Sequence, residues 1–148
     1  MMQLSQHFTL AEFTASNTAR RKGIPNNPPP AILDQLILTA DRMEGVRSLL
    51  GDRPIQILSV YRSPAVNRAV GGSASSAHMT GHAVDFVCPA FGTPGQVASR
   101  LSKTLIGFDQ LIEEFGGWVH VGFGPGQRGQ LLTARKQGRR TVYLSGIA

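Results

Sequence analysis

Apolar residues between positions 31 and 50 return every three or four places, at Leu33, Leu36, Ile37, Ala40, Met43, Val46 and Leu50. That is the spacing of a helix burying one face. Pro30 suits its first turn, and Gly51 and Pro54 close it. A shorter helical pattern over 93–105 puts Val97, Leu101 and Leu105 on one face. The runs at 55–61 and 83–87 are short, apolar and rich in β-branched residues, and predict strands. Two further strands, 108–115 and 118–123, flank Gly116-Gly117 as a hairpin. A last ribbon is predicted from 131–133 and 141–144, turning near Gly138. Thr9 and Glu12 have the spacing of a capping box, so a short helix is expected over 9–15. Ser63-Pro64 opens another helical turn that runs to about Val70. Residues 17–30, rich in Pro, Asn and Arg, read as an ordered loop, and 71–76 as a second loop. A leading helix followed by strands mixed with helices predicts an α+β fold, taken as a single domain over 1–148.

Composition narrows the chemistry. With 41% hydrophobic and 16% charged residues among 148, a domain of this size buries roughly two-thirds of the surface its unfolded chain exposes. Cys88 is the one cysteine, so an intrachain disulfide and a thiolate zinc site are both excluded. Cys88 itself reads as a small buried hydrophobe. Any metal must sit on histidine and carboxylate. The net charge of +6 favours anionic partners, either nucleic acid or a bacterial envelope. Aromatics are only 7% and no nucleic-acid motif accompanies the basic run at 135–140, so nucleic acid is not the expected partner. No apolar run is long enough for a membrane span, and residues 1–13 lack the basic start and apolar stretch of a signal peptide. Synthesis in the cytoplasm without a leader is therefore expected.

The four histidines are His7, His78, His82 and His120. His78 and Asp85 stand seven residues apart, with Gly81 allowing a turn between them. In the strand around His120, period-2 alternation puts Trp118, His120 and Gly122 on one face. Each signal taken alone is as compatible with a hydrogen-bonded core or turn residue as with a ligand. Together they form a longer pattern: Ser59-Val60-Tyr61-Arg62-Ser63, then Asn67, Val70-Gly71-Gly72, Ser76-Ala77-His78, Gly81, Ala83 and Asp85, and finally Trp118-Val119-His120-Val121. This pattern resembles the zinc peptidases of the M15 family, and most closely the small M15A-like D-Ala-D-Ala carboxypeptidase and endolysin-type domains common in bacteriophages and prophages.

The resemblance implies a mainly antiparallel sheet flanked by helices, as in the D,D-peptidases and the hedgehog signalling domain. It implies one Zn2+ per chain held by His78, Asp85 and His120. It also implies hydrolysis of peptide bonds in peptidoglycan stem peptides, by carboxypeptidase or endopeptidase action, and a phage or prophage lysis enzyme. Such an enzyme is expected as a monomer that reaches the periplasm and cell wall through phage-assisted release. The alternative is a non-catalytic zinc module for wall binding or signalling. Many relatives carry a carboxylate three residues before the last histidine ligand. Here that position is Gly117. Glu114, six residues before His120, is the expected general base, with Glu113 behind it. Arg62 is expected near the scissile carbonyl or a substrate carboxylate, and Ser76 as a substrate contact or a turn-stabilising hydroxyl. Asn67 is expected to pin the loop holding Gly71 and Gly72, and His82 is left out of the ligand set.

Overall fold

The computed structural model describes residues 2–148. In chain order the elements are α1 (Leu10–Thr14), α2 (Asn17–Lys22), α3 (Pro30–Leu49), β1 (Gln56–Ser59), α4 (Pro64–Ala69), β2 (Ala83–Val87), α5 (Pro94–Ser102), β3 (Gln110–Glu114), β4 (Trp118–Gly122), β5 (Gln130–Gln137) and β6 (Arg140–Ser145). The strands form one sheet in the order β1-β2-β4-β3-β5-β6. Every pairing is antiparallel except β3 with β5. The architecture is the expected α+β.

Alternation along the central strands divides the sheet into two faces. Val84, Phe86, Leu111, Val119 and Val121 point into the core. They pack with Leu36, Ala40, Met43, Val46 and Leu50 from α3 and its C-terminal cap, and with Val97, Ala98 and Leu101 from α5. Burying one such side chain fully stabilises the fold by about 1.5–3 kcal/mol. The opposite face carries Asp85, His120 and Glu114, which direct pairing sets in one patch: Asp85 lies across from His120, and Glu114 across from Trp118.

Several boundaries differ from the sequence reading. Residues 17–22 are helical because Ser16 caps them, its hydroxyl accepting from the Ala19 amide, and Gly23 ends them in the left-handed region at φ 66°. The capped turn was hidden in a Pro- and Asn-rich stretch. Helix α5 stops at Ser102, which leaves Leu105 fully exposed beyond it. In α3, Ile37 lies off the buried stripe and is exposed. The final ribbon is longer than expected and turns at Gly138.

Thr39 fastens α3 to the segment that leads into β2. Its buried hydroxyl donates to the Gly81 carbonyl at 2.6 Å. Gly81 has φ +79°, and a Cβ there would sit 3.1 Å from Leu36 Cδ2. Only glycine gives the chain both this turn and this close approach to the helix.

Candidate metal centre and cleft

His78, Asp85 and His120 arrive from three places: the loop before β2, the middle of β2 and the middle of β4. One ligand atom from each lies within 4.8 Å of the others. His78 Nε2 is 3.3 Å from Asp85 Oδ2, and His120 Nδ1 is 2.9 Å from Asp85 Oδ1. The two imidazole rings meet edge to face with centroids 5.3 Å apart.

The hydrogen bonding of His78 decides what this cluster can hold. Its Nδ1 lies 2.7 Å from the Val60 carbonyl. A carbonyl only accepts, so Nδ1 carries the proton and donates it. That leaves the buried Nε2 as the ring nitrogen facing Asp85 Oδ2, where a proton or a metal ion bridges the two. Two imidazoles and one carboxylate, with the backbone fixing one tautomer, fit a zinc ion that keeps its fourth position open. Burial alone would raise the Asp85 carboxyl, but hydrogen bonds and charge from His120 and His78 hold it well below the ordinary carboxylate range. It is a ready anionic ligand.

The cluster opens into a cleft of about 700 Å³. A groove of similar size beside α5, about 730 Å³, has no histidine, aspartate or glutamate in its walls, so chemistry rather than volume singles out the first. Glu114 lines the cleft and Glu113 does not. Glu113 points to the other face, is 4% exposed and is ion-paired with Arg135. The sequence had kept Glu113 as the second choice for base. The hairpin register removes it, because neighbours on a strand face opposite ways. Glu114 forms no such ion pair with an Arg or Lys among the described residues. Burial raises its carboxyl above the usual range, with the His120 charge opposing and Asp85 and Glu113 adding to the rise.

Arg62 lines the opposite side of the cleft. Its backbone amide donates to the His78 carbonyl at 3.2 Å, which ties its position to the ligand loop. Nη1 donates to Asn67 Oδ1 at 3.2 Å, while Nε is buried without a hydrogen-bond partner among the described residues. Burial lowers the guanidinium pKa, and the Asp85 charge opposes that shift. A buried donor without an acceptor costs roughly 1–3 kcal/mol, and an incoming carbonyl or carboxylate would relieve it. Asn67 pins the 71–73 loop, since its Nδ2 donates to the Ser73 carbonyl at 2.8 Å and its carbonyl accepts from the Gly72 amide at 2.9 Å. A Cβ on Gly72 would overlap the Asn67 amide and crowd Arg62 Nη1.

Ser76 does two things. Its hydroxyl accepts from the His78 amide at 3.2 Å, and it also faces the cleft. His82 lies apart from the cluster, where its Nδ1 meets Thr80 Oγ1 at 2.7 Å and its ring borders a separate hollow with Gln35 and Arg42. Burial lowers its pKa. Cys88 is buried, and its thiol points to the Pro54 carbonyl at 3.3 Å.

Three participants had no signal in the sequence. Asn26 braces the segment carrying Arg62: its Nδ2 donates to the Thr14 and Tyr61 carbonyls, and its Oδ1 accepts from the Ser63 amide at 2.7 Å. Lys136 and Tyr143 enter the cleft from the last ribbon. Only the register of β5 on β3 and of β6 on β5 carries them to the Glu114 face.

A family model, Peptidase M15, matches residues 6–122. The chain belongs to the peptidase M15 family. Within the curated proteins it is similar to the zinc D-Ala-D-Ala carboxypeptidase of Streptomyces albus G, 32% identical over 76 residues. That stretch is 51% of this chain and 29% of the Streptomyces protein. The M15 match contains both histidines and the aspartate of the cluster together with Arg62, Ser76 and Glu114. It ends before β5 and β6.

Proposed function

We propose that this M15 member is a zinc peptidase that hydrolyses a peptide bond in the stem peptides of bacterial peptidoglycan. One observation carries the reading: a His-Asp-His cluster with a fixed imidazole tautomer lies in an open cleft, with an unpaired carboxylate on the same sheet face. The zinc D-Ala-D-Ala carboxypeptidase to which it is similar supports the choice of metal and of substrate class.

His78, Asp85 and His120 would hold the ion. Zinc, when bound, makes a water acidic and polarises a carbonyl. Glu114 takes the proton from the attacking water and passes it to the departing amine. A carboxyl raised by burial is better matched to that proton transfer than a fully solvated one. Arg62 offers its unpartnered Nε–H to the oxygen that gains negative charge, or to a substrate carboxylate. Ser76 holds the His78 turn and contributes a hydroxyl to the substrate wall. The role we assign the protein is lysis of the wall for a phage or prophage, on the strength of its resemblance to phage endolysin domains.

The test is mass spectrometry of soluble products after the zinc-loaded protein is incubated with purified peptidoglycan, beside a chelated control. Chelator-sensitive peptide fragments are expected, and their masses identify the bond. An unchanged wall with zinc measured in the protein would instead favour a non-catalytic zinc module, the reading that Gly117 in place of a carboxylate had kept open.

A further inference from the structure

Three cationic side chains line the cleft: Arg62, Arg128 and Lys136. Arg128 is neutralised by a two-pronged pair with Asp109, its Nε and Nη2 each 2.9 Å from a carboxylate oxygen. Lys136 has no carboxylate partner among the described residues. Its ammonium lies 5.2 Å from the centre of the Phe115 ring and donates to Thr141 Oγ1 at 3.2 Å. An ammonium has three protons to donate, so this setting holds the charge in place and leaves it unneutralised.

Strand register places that charge in the cleft. Ala134 on β5 pairs with Glu114, and Lys136, two residues on, shares its face. Across the ribbon, Thr141 pairs with Lys136 and Tyr143 with Ala134, so all three side chains stand on the Glu114 side. Along the sheet, β5 is two strands away from β4, about 10 Å, and Lys136 is four positions beyond the level of His120, about 13 Å. An extended peptide crosses such a distance in a few residues. The whole wall lies outside the part of the chain that matches the M15 family.

We infer that the β5–β6 ribbon adds an anion subsite to the cleft, in which Lys136 binds a side-chain carboxylate of an extended peptide several residues from the bond at the His-Asp-His cluster. The inference rests on the peptidase reading, because it takes that cluster as the place of cleavage. Lys136 then sets specificity rather than rate: it selects acidic peptides long enough to reach from the cluster to the ribbon. A dipeptide end held at Arg62 would not meet it.

The test separates this subsite from the chemistry. Two stem pentapeptides are compared, one with free side-chain carboxylates and one with those groups amidated, both keeping the C-terminal carboxylate. Binding is measured by calorimetry on Glu114→Gln protein, so it is read whether or not the protein turns either peptide over. The protein with Lys136 intact should bind the acidic peptide about tenfold more tightly, the effect of one hydrogen bond to a charged group. Adding Lys136→Met should collapse the acid-to-amide ratio toward one, and Lys136→Arg should restore most of it. A role confined to propping Phe115 would weaken both peptides alike. No preference with Lys136 intact, a preference that survives Lys136→Met, or no measurable binding of the acidic peptide would each overturn the subsite. In the active protein the preference should appear in KM with kcat little changed. If neither peptide is cleaved but the binding preference holds, the peptidase reading fails and the subsite stands.

Discussion

Glu113 and Glu114 are adjacent and chemically identical, and the register sets them on opposite faces of the sheet. Replacing each by glutamine removes one negative charge and nearly preserves shape. For Glu114→Gln the loss falls on proton transfer. General acid–base catalysis contributes about 10²–10⁴-fold, or about 3–5 kcal/mol in the barrier. Stability should move the other way. Burial raises the Glu114 carboxyl, so the folded chain holds its proton to higher pH than the unfolded chain does. That group's contribution to stability declines as pH rises from the unfolded pKa through the folded one. At neutral pH the glutamine variant should therefore melt no lower than the parent, and slightly higher. Glu113→Gln breaks the ion pair to Arg135 on a carboxylate that is 4% exposed, and should lower Tm by several degrees while leaving kcat/KM within a few-fold. The assays are steady-state hydrolysis of a stem pentapeptide by the zinc-loaded protein and thermal unfolding of the metal-free protein. Activity of Glu114→Gln within tenfold of the parent refutes its role as base. Equal loss of activity in Glu113→Gln refutes the argument from register.

Other consequences can be checked on the same samples. Asp85→Ala and His120→Ala should each drop bound zinc from about one ion per chain to a small fraction, read by atomic emission after gel filtration, and abolish hydrolysis; retention of both would exclude the cluster as the metal centre. In the metal-free protein the Glu114 carboxyl should titrate above the ordinary glutamate value of about 4.3, because burial raises it, as read by NMR of the side-chain carboxyl carbon; a midpoint at or below that value would refute the burial argument. Gly81→Ala forces a Cβ into the left-handed region and against Leu36, a cost of about 2 kcal/mol, so Tm should fall by about 4–8 °C.

The elements that the sequence made legible are those whose hydrophobic period is carried by many residues. Helix α3 repeats its pattern over five turns, and the strands around β2 and β4 are apolar runs between turn residues. Helix α2 escaped because one serine cap and one glycine stop specify it, inside a stretch whose composition suggests a loop. The candidate ligands could be named only because, together with Gly81 and Arg62, they resemble the M15 pattern; alone, each reads as an ordinary polar residue. Asn26 could not be named: its three hydrogen bonds reach backbone groups 12 to 37 residues away, and nothing local records them. Lys136 also reads as one charge in a basic run until the parallel pairing of β5 on β3 turns it toward the cleft.

The hairpin between β3 and β4 fixes where Glu114 stands relative to the cluster. Strand β4 begins at Trp118, so residue 117 belongs to the turn, whereas Glu114 is the direct partner of Trp118 and shares its face with His120. The turn that joins the two strands is an unusual one. Phe115 adopts φ +57°, a conformation that costs a non-glycine residue about 1–2 kcal/mol, even though glycines occupy the next two positions. What offsets that cost is the ring, which packs against Trp118 with centroids 5.7 Å apart and lies beneath the Lys136 ammonium. The strained residue is thus the joint between the strand bearing Glu114 and the ribbon bearing Lys136. A glycine there would make the turn easier and remove the ring contacts to Trp118 and Lys136, leaving only the backbone pairing of β3 with β5. The strain sits between the strand that carries Glu114 and the part of the chain that lies beyond the family match.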